Sequence, residues 1–223
     1  MTAGESAERI ILKRPPILVI LGDRTANEIL EAALLAHRAQ FATIEKIYFE
    51  QEKFLSQDVP RLSANTDDIF FHAGMANEAV KRNVVEACLS IGWKAQSVIH
   101  PTAVIAPSAT IHPGVFVGPL AVISSQAIVE QHCIVHLHAS VGHDARIGEY
   151  SAILPGARIS GNVVIGQRSL IGSNAFVAAG KTIGNDCRVD ALSYVQQDLA
   201  DGYMLSPRYP KALKRVGMGE ARG

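Results

Sequence analysis

The sequence predicts a small α/β, Rossmann-like N-terminal domain followed by a parallel β-solenoid of hexapeptide repeats. Two observations predict the solenoid: Ile or Val recurs at every sixth position from Ile99 to Val195, and a small or β-branched residue recurs two positions before it. A third observation predicts the α/β domain, because apolar strand-like runs alternate with helical segments across residues 17–98.

The repeat is long and unbroken, with seventeen consecutive Ile or Val residues. Sixteen of the seventeen residues two positions earlier are small or β-branched, and Lys181 is the exception. Since residues two apart in a strand share a face, each unit sends one branched and one small side chain inward. Glycine or proline then follows, which we interpret as the turn residue of a corner. A short strand and a corner every six residues predict a parallel solenoid.

This pattern resembles the left-handed parallel β-helix of hexapeptide-repeat proteins, in which three units form one triangular coil. On that resemblance the seventeen units make between five and six coils of 18 residues. Small inward residues agree with the low aromatic content of 6%. The three cysteines, Cys88, Cys133 and Cys187, are an odd number at wide spacing with no CxxC motif, so we expect buried, reduced thiols. On the coil resemblance Cys133 and Cys187 also lie three coils apart, too far for a disulfide.

The N-terminal part alternates strand and helix patterns. Strands are predicted at 17–21, 44–49 and 69–71, and helices at 25–39 and 76–91. A strand followed by glycine and a helix N-terminus can bind an anion. Gly22, Asp23 and Gly74 are therefore candidate acceptor-binding residues, although one glycine stands where a phosphate loop has two or three. A purely structural domain is the alternative.

We place the domain boundaries from these patterns. The expected units are a flexible N-terminal tail at 1–14, the α/β domain at 15–97, the β-helix at 98–198 and a C-terminal segment or tail at 199–223.

Composition excludes several classes. Hydrophobic residues make up 48%, charged residues 19%, and Lys+Arg equals Asp+Glu at 21 each. This balance argues against an acidic disordered chain and against a nucleic-acid-binding protein. With neither a membrane-spanning run nor a hydrophobic export segment in residues 1–9, we expect a cytoplasmic protein with no membrane partner.

Four of the eight histidines lie close together in the sequence, and three interpretations compete. They are His132, His136, His138 and His143. The first interpretation is a zinc site like that of γ-type carbonic anhydrases, which share the solenoid, but neither His138–His143 nor His100–His136 completes their three-histidine spacing. The second is solvated corner residues, favoured for His100, His112, His132 and His138. The third is acyl transfer, favoured for His143.

Local motifs carry a second resemblance, to the sialic-acid O-acetyltransferase and bacillosamine-type sugar N-acetyltransferase family, over residues 17 to about 215. The motifs are VIHP at 98–101, HDARIGEY at 143–150, SGNV at 160–163 and IGSN at 171–174. The resemblance implies that His143 is the general base and Asp144 its partner. It also implies acetyl-CoA as co-substrate, no metal, and a homotrimer with acyl-CoA bound between neighbouring solenoids.

Physical chemistry supports that assignment. An attacking amine or hydroxyl must lose a proton, which an imidazole can accept. Gly161 lies 18 residues after His143, one coil higher in the same corner, where its N–H could stabilise the thioester oxyanion. Outward apolar residues, among them Leu120, Leu137 and Leu154, are expected to contact neighbouring subunits.

The remaining site residues are assigned as candidates. Acyl-CoA is expected to contact Gly161, Ala179, Lys181, Arg208 and Lys211, and a solvated basic tail is the alternative for Lys211, Lys214 and Arg215. The acceptor is expected to contact His136, which stands where the family commonly has Asn; Ala152 stands where a second His is common.

The sequence thus predicts an acetyl-CoA-dependent acetyltransferase that acts on an amino or hydroxyl group of a nucleotide-linked sugar for a bacterial surface polysaccharide. A non-catalytic scaffold and a zinc-dependent enzyme are the alternatives.

Overall fold

The computed structural model describes residues 14–64, 66, 68–75, 77–209 and 211–215. Of the predicted N-terminal tail, residues 1–13 lie outside the described part, as do residue 76 of the second predicted helix and 216–223 of the C-terminal segment.

The N-terminal domain is a four-stranded parallel sheet in the order β2-β1-β3-β4. Its strands are β1 (Ile17–Leu21), β2 (Thr43–Ile47), β3 (Ile69–Ala73) and β4 (Lys94–Ala95), and its two longest helices are α1 (Asn27–His37) and α4 (Glu78–Ser90). Every residue of β1 is buried because the strand is central and covered on both faces. The predicted α/β domain is confirmed.

Element boundaries differ slightly from the predicted ones. The first helix begins at Asn27, after a 3-10 turn at Arg24–Ala26. The second begins at Glu78, because the Asn77 side chain caps it by accepting from the N–H groups of Ala79 and Val80 at 3.0 and 3.1 Å.

A helical connection between β2 and β3 was missed by the sequence analysis. It consists of α2 (Gln51–Lys53), a π turn (Phe54–Asp58) and α3 (Val59–Ser63). Only Phe54 and Leu62 of this connection are buried, so its helical periodicity is weak in the sequence.

The solenoid contains seventeen two-residue strands, each ending on one of the seventeen predicted Ile or Val residues, and they form three sheets. The docking face, named for the domain that covers it, contains β5 (Val98–Ile99), β8 (Phe116–Val117), β11 (Ile134–Val135), β14 (Ala152–Ile153), β17 (Leu170–Ile171), β20 (Arg188–Val189), β22 (Tyr203–Leu205) and β23 (Leu213–Lys214). The second face contains β6 (Val104–Ile105), β9 (Val122–Ile123), β12 (Ser140–Val141), β15 (Arg158–Ile159), β18 (Phe176–Val177) and β21 (Tyr194–Val195). The third face contains β7 (Thr110–Ile111), β10 (Ile128–Val129), β13 (Arg146–Ile147), β16 (Val164–Ile165) and β19 (Thr182–Ile183).

Neighbouring strands of the solenoid are parallel and in register at 18 residues. Ser140 pairs with Arg158 and Val141 with Ile159, for example. From Val115 onward the aliphatic residues of the repeat and most of the small ones form one buried cluster, as predicted, and Ile99, Ala103, Ile105, Ala109 and Ile111 are half-buried against it. All three cysteines are free and buried. The C-terminal strands extend the docking face, because β22 pairs parallel with β20 and β23 pairs antiparallel with β22.

The glycines that follow the aliphatic residues have a different role from the predicted one. A β-carbon on Gly142 would lie 2.5 Å from the nitrogen of Gly161 in the next coil, so close approach of two coils excludes a side chain there. The left-handed corner residue lies three positions after the aliphatic residue, as at Leu120, Asp144 and Asn162, with φ of 57°, 59° and 58°.

The N-terminal domain packs on the docking face. Phe116 and Val98 are buried there with Leu18 and Ile20 of the domain sheet. Leu154 also lies on this side and is half-buried, whereas Leu120 is exposed. That either residue contacts another subunit stays a prediction. Among the described residues, no helix is long and apolar enough to cross a membrane.

Candidate functional site

His143 lies at the second corner, which joins the second face to the third. In this corner Ser125, His143, Gly161 and Ala179 form one column, with one residue per coil. The Asp144 N–H donates to the Ser125 carbonyl at 3.0 Å, and the Asn162 N–H donates to the His143 carbonyl at 2.9 Å. The backbone of His143 is therefore held between the coils below and above it.

The His143 side chain is paired and accessible. Its Nδ1 lies 2.8 Å from Oδ2 of Asp144, and the two side chains are 59% and 45% exposed. Asp144 can turn its carboxylate back to the neighbouring imidazole because it has the left-handed conformation, which Asp tolerates. With Nδ1 donating to Asp144, Nε2 is left as the proton acceptor.

Gly161 lies against that imidazole, as the 18-residue spacing predicted. A β-carbon built on Gly161 would overlap Nε2 and lie 2.6 Å from Cε1 and 2.9 Å from Cδ2 of His143. Within the described residues, the Gly161 N–H has no hydrogen-bond acceptor, although its carbonyl accepts from the Gly180 N–H at 3.0 Å. The imidazole thus lies against a residue whose backbone N–H is unpaired within the described residues.

The candidate CoA-binding residues are spread over the upper coils. Ala179 is exposed one coil above Gly161, and Lys181 is half-buried at the start of the third face. Arg208 lines a hollow with Asp190 and Leu192, whereas Lys211 lines a different hollow beside Tyr194. The two cations therefore do not converge on one pocket in a single chain.

Two residues of the basic segment near the C-terminus pair with the solenoid. Lys214 belongs to β23, and the Arg215 guanidinium donates to the Asp186 carbonyl at 2.7 Å. The solvated-tail alternative is therefore wrong for Arg215.

Two of the candidate acceptor residues, Gly74 and His136, share a cavity of about 150 Å³ between the N-terminal domain and the docking face. Its other lining residues are Glu28, Ile29, Phe116, Ile134, Ala152, Leu154 and Leu170. Gly22 lies directly behind Gly74, since a β-carbon on Gly22 would lie 3.0 Å from the Gly74 carbonyl oxygen. Asp23 is exposed at the end of β1, and its carbonyl accepts from Lys46 Nζ at 3.3 Å.

Glu28 is a polar residue of this cavity that sequence reasoning missed. Its Oε2 lies 3.6 Å from Nε2 of His136. Burial lowers the pKa of His136 below its ordinary value, and the Glu28 carboxylate partly opposes that shift. No local pattern could reveal the pair, because it forms only when α1 packs on the solenoid.

The four clustered histidines separate in space. His132 lies at the corner that joins the third face to the docking face. His136 and His138 lie at the corner that joins the docking face to the second face, and His143 lies at the second corner. Within the described part of one chain, no group of three His, Cys, Asp or Glu side chains could hold a metal ion. The histidines do not form one site in a single chain.

His132 is not the solvated residue that was predicted. It is 3% exposed and stacks between Phe71 and Tyr150, because β3 and α4 of the N-terminal domain cover its corner. Burial and the positive charge of Lys81 lower its pKa to about 4. Burial lowers the pKa of Lys81 itself to about 8.

Comparisons with known proteins agree with this architecture. Residues 144–179 match the family model described as bacterial transferase hexapeptide (six repeats). GDP-perosamine N-acetyltransferase of Escherichia coli O157:H7 is 30% identical over 111 residues, which span 50% of this chain and 50% of that protein. The chain thus matches about half the length of this curated relative.

Solved structures match over nearly the whole chain. The acetyltransferase domain of PglB from Neisseria gonorrhoeae FA1090, in complex with acetyl coenzyme A, is 24% identical, with a TM-score of 0.78 over 90% of this chain and 100% of that one. A mutant of perosamine N-acetyltransferase from Caulobacter crescentus, in complex with CoA and GDP-perosamine, is 21% identical, with a TM-score of 0.77 over 89% of this chain and 96% of that one. At these identities the likeness concerns the fold.

The repeat and the topology define a hexapeptide-repeat β-helix protein with an N-terminal α/β domain. The acetyltransferase domain of PglB and perosamine N-acetyltransferase share this fold.

Proposed function

We propose that the protein is an acetyl-CoA-dependent N-acetyltransferase whose acceptor is a nucleotide-linked amino sugar. The observation that carries the proposal is the second corner, where an exposed imidazole is paired with Asp144 and lies against Gly161. Support comes from the fold, because PglB with acetyl coenzyme A and perosamine N-acetyltransferase with CoA and GDP-perosamine share it.

The reaction is a direct transfer in which His143 is the general base. The acceptor nitrogen attacks the thioester carbonyl carbon while Nε2 takes the nitrogen's proton. The C–S bond then breaks, the acetyl group stays on the nitrogen, and the leaving CoA sulfur receives the proton from the imidazolium. Asp144 stabilises that imidazolium through Nδ1, from which it lies 2.8 Å.

The Gly161 N–H is the donor for the oxyanion. Charge develops on the thioester oxygen as the nitrogen attacks, and a fixed backbone donor is worth most at that moment. This donor has no acceptor among the described residues, so it is available to the substrate. CoA then extends along the upper coils past Ala179 towards Lys181, and the basic residues Arg208 and Lys211 are candidates for its phosphates.

The acceptor sugar is assigned to the cavity that contains Gly74, Glu28 and His136. Its volume of about 150 Å³ is below the range of whole-ligand pockets, so the nucleotide would extend out of it towards Gly22 and Asp23. The apolar lining fits a carbon-rich face of the sugar, and Glu28 and His136 fit its hydroxyl or amino groups.

A homotrimer would join the two half-sites. Within one chain the cavity lies on the docking face, whereas His143 lies across the second face, at the second corner. Four of the six outward residues of the second face are apolar and exposed, namely Val104, Val122, Phe176 and Tyr194, and the other two are Ser140 and Arg158. Packing of such faces between copies would bring His143 of one chain towards the cavity of the next.

The proposal is tested by incubating the full chain with acetyl-CoA and a panel of GDP-, UDP- and dTDP-linked amino sugars. We expect release of CoA thiol that depends on one acceptor, and a product heavier by one acetyl group. Hydroxyl sugars of the same nucleotides are the matched controls. Absence of both acetyl transfer and stabilisation by acetyl-CoA in thermal unfolding would favour a non-catalytic scaffold.

A further inference from the structure

Gly161 is the residue of its column that lacks a β-carbon. Ser125 lies two coils below it, His143 one coil below it and Ala179 one coil above it, and each of these has a side chain. The corner backbone therefore accepts a β-carbon at this position in other coils. Something other than the corner itself requires glycine at 161.

Backbone conformation does not require it either. The left-handed residue of this corner is Asn162, with φ of 58°, and Gly161 is not among the residues with positive φ. Gly142 and Gly166 differ from it, since a β-carbon on each would first meet backbone atoms of the next coil, at 2.5 Å.

A β-carbon on Gly161 would meet the imidazole of His143 instead. It would overlap Nε2 and lie 2.6 Å from Cε1 and 2.9 Å from Cδ2, whereas ordinary carbon contacts begin at about 3.5 Å. The ring thus lies in a notch left by the missing side chain. Asp144 fixes the ring from its other side, through Nδ1 at 2.8 Å.

We infer that Gly161 is a positioning residue for His143: its missing β-carbon forms the notch that holds the imidazole with Nδ1 on Asp144 and Nε2 at the corner surface. An imidazole that is 59% exposed has few other contacts to select one rotamer. This role is separate from that of the Gly161 N–H, which an alanine would keep. Its catalytic consequence rests on the proposed function, but the notch itself does not.

The substitution Gly161→Ala tests the inference. The β-carbon pushes the ring out of the notch, so we expect kcat to fall by about 10- to 100-fold, while the KM for acetyl-CoA changes by less than about 3-fold. The ¹⁵N shifts of the His143 ring, assigned by their loss in His143→Asn, should change from one tautomer to a mixture. A merely structural role would leave this signature unchanged.

A thermal double-mutant cycle provides the control. In the His143→Ala background the notch is empty, so adding Gly161→Ala should leave Tm unchanged, whereas Gly142→Ala should lower Tm in both backgrounds. The inference would be overturned if Gly161→Ala lowered Tm equally in both backgrounds. It would also be overturned if Gly161→Ala kept the kcat and the ring ¹⁵N shifts of the wild type. If His143→Ala itself kept full turnover, the proposed base would be wrong, while the Tm cycle would still decide whether the notch exists.

Discussion

Lys81 of α4 donates a hydrogen bond from Nζ to the backbone carbonyl of His132, at 3.1 Å, and thereby joins the N-terminal domain to a corner of the solenoid. Both residues are 3% exposed. The coil that contains His143 also contains Tyr150, whose ring stacks on His132 at 5.1 Å. The domain that lines the proposed acceptor cavity is therefore fixed to the coil that contains the proposed base.

Acid should loosen this junction through His132. Its pKa is about 4 in the folded chain, against 6.5 in the unfolded chain, so the unfolded state binds more protons below pH 6.5 and stability falls as pH decreases. His132→Phe keeps the stack and removes the titration. We expect the wild type to lose up to about 3 kcal/mol more than His132→Phe between pH 6.5 and 4 in urea unfolding.

His138→Phe is the control for strain, since residue 138 has the same left-handed conformation at an exposed corner. Parallel pH profiles for the wild type and His132→Phe would contradict the burial of that imidazole.

Alkali should strengthen the same junction through Lys81. Its pKa is about 8 when folded and 10.5 when unfolded, so between these values the unfolded state binds more protons and stability rises with pH. Relative to Lys81→Met, the wild type should gain about 3 kcal/mol of unfolding free energy from pH 8 to 10.5. Lys53 is exposed, so Lys53→Met should show the same dependence of unfolding free energy on pH as the wild type. If Lys81→Met also showed that dependence, the ammonium of Lys81 would not be buried.

Phe116 should be a main apolar contact between the two domains. It is 1% exposed, on the docking face, and packs in the same buried cluster as Leu18 and Ile20. Phe116→Ala should destabilise the chain by about 3–5 kcal/mol in chemical denaturation, because it leaves a cavity. Phe116→Leu fills most of that space and should lower the unfolding free energy clearly less. Equal losses in the two variants would contradict a main role of Phe116 packing in the contact between the domains.

Glu28 should affect the acceptor and not the acetyl donor. Its carboxylate lines the cavity beside His136, so Glu28→Gln removes a charge from the proposed sugar site. We expect the acceptor KM to rise by about 10-fold while the KM for acetyl-CoA is unchanged. Glu31→Gln, exposed on the same helix, is the matched control. A change confined to the acetyl-CoA KM would place the acceptor elsewhere.

The sequence predicted the features that depend on local spacing. Each Ile or Val of the repeat is the second residue of a strand, and the column that joins His143 to Gly161 follows from the 18-residue coil. Free, buried cysteines were predicted from their odd number and wide spacing.

Features that depend on docking could not be predicted in this way. Burial of His132, the Glu28–His136 pair and the position of Leu154 all arise where the N-terminal domain covers the solenoid. The helical connection around Phe54 was missed because it buries too few residues to show a period. Gly142 was interpreted as a turn residue, but it is glycine because two coils approach closely there. Both causes place glycine at the same position of the repeat, so the sequence does not distinguish them.

The most direct test of the central claim is the turnover number of His143→Asn with acetyl-CoA and the acceptor that the panel identifies. Asn keeps a polar side chain at the corner but cannot take the proton from the attacking nitrogen. We predict that kcat falls by about 10²- to 10⁴-fold with an unchanged Tm. Turnover within a few-fold of the wild type, in a folded variant, would contradict the assignment of the imidazole paired with Asp144 as the base.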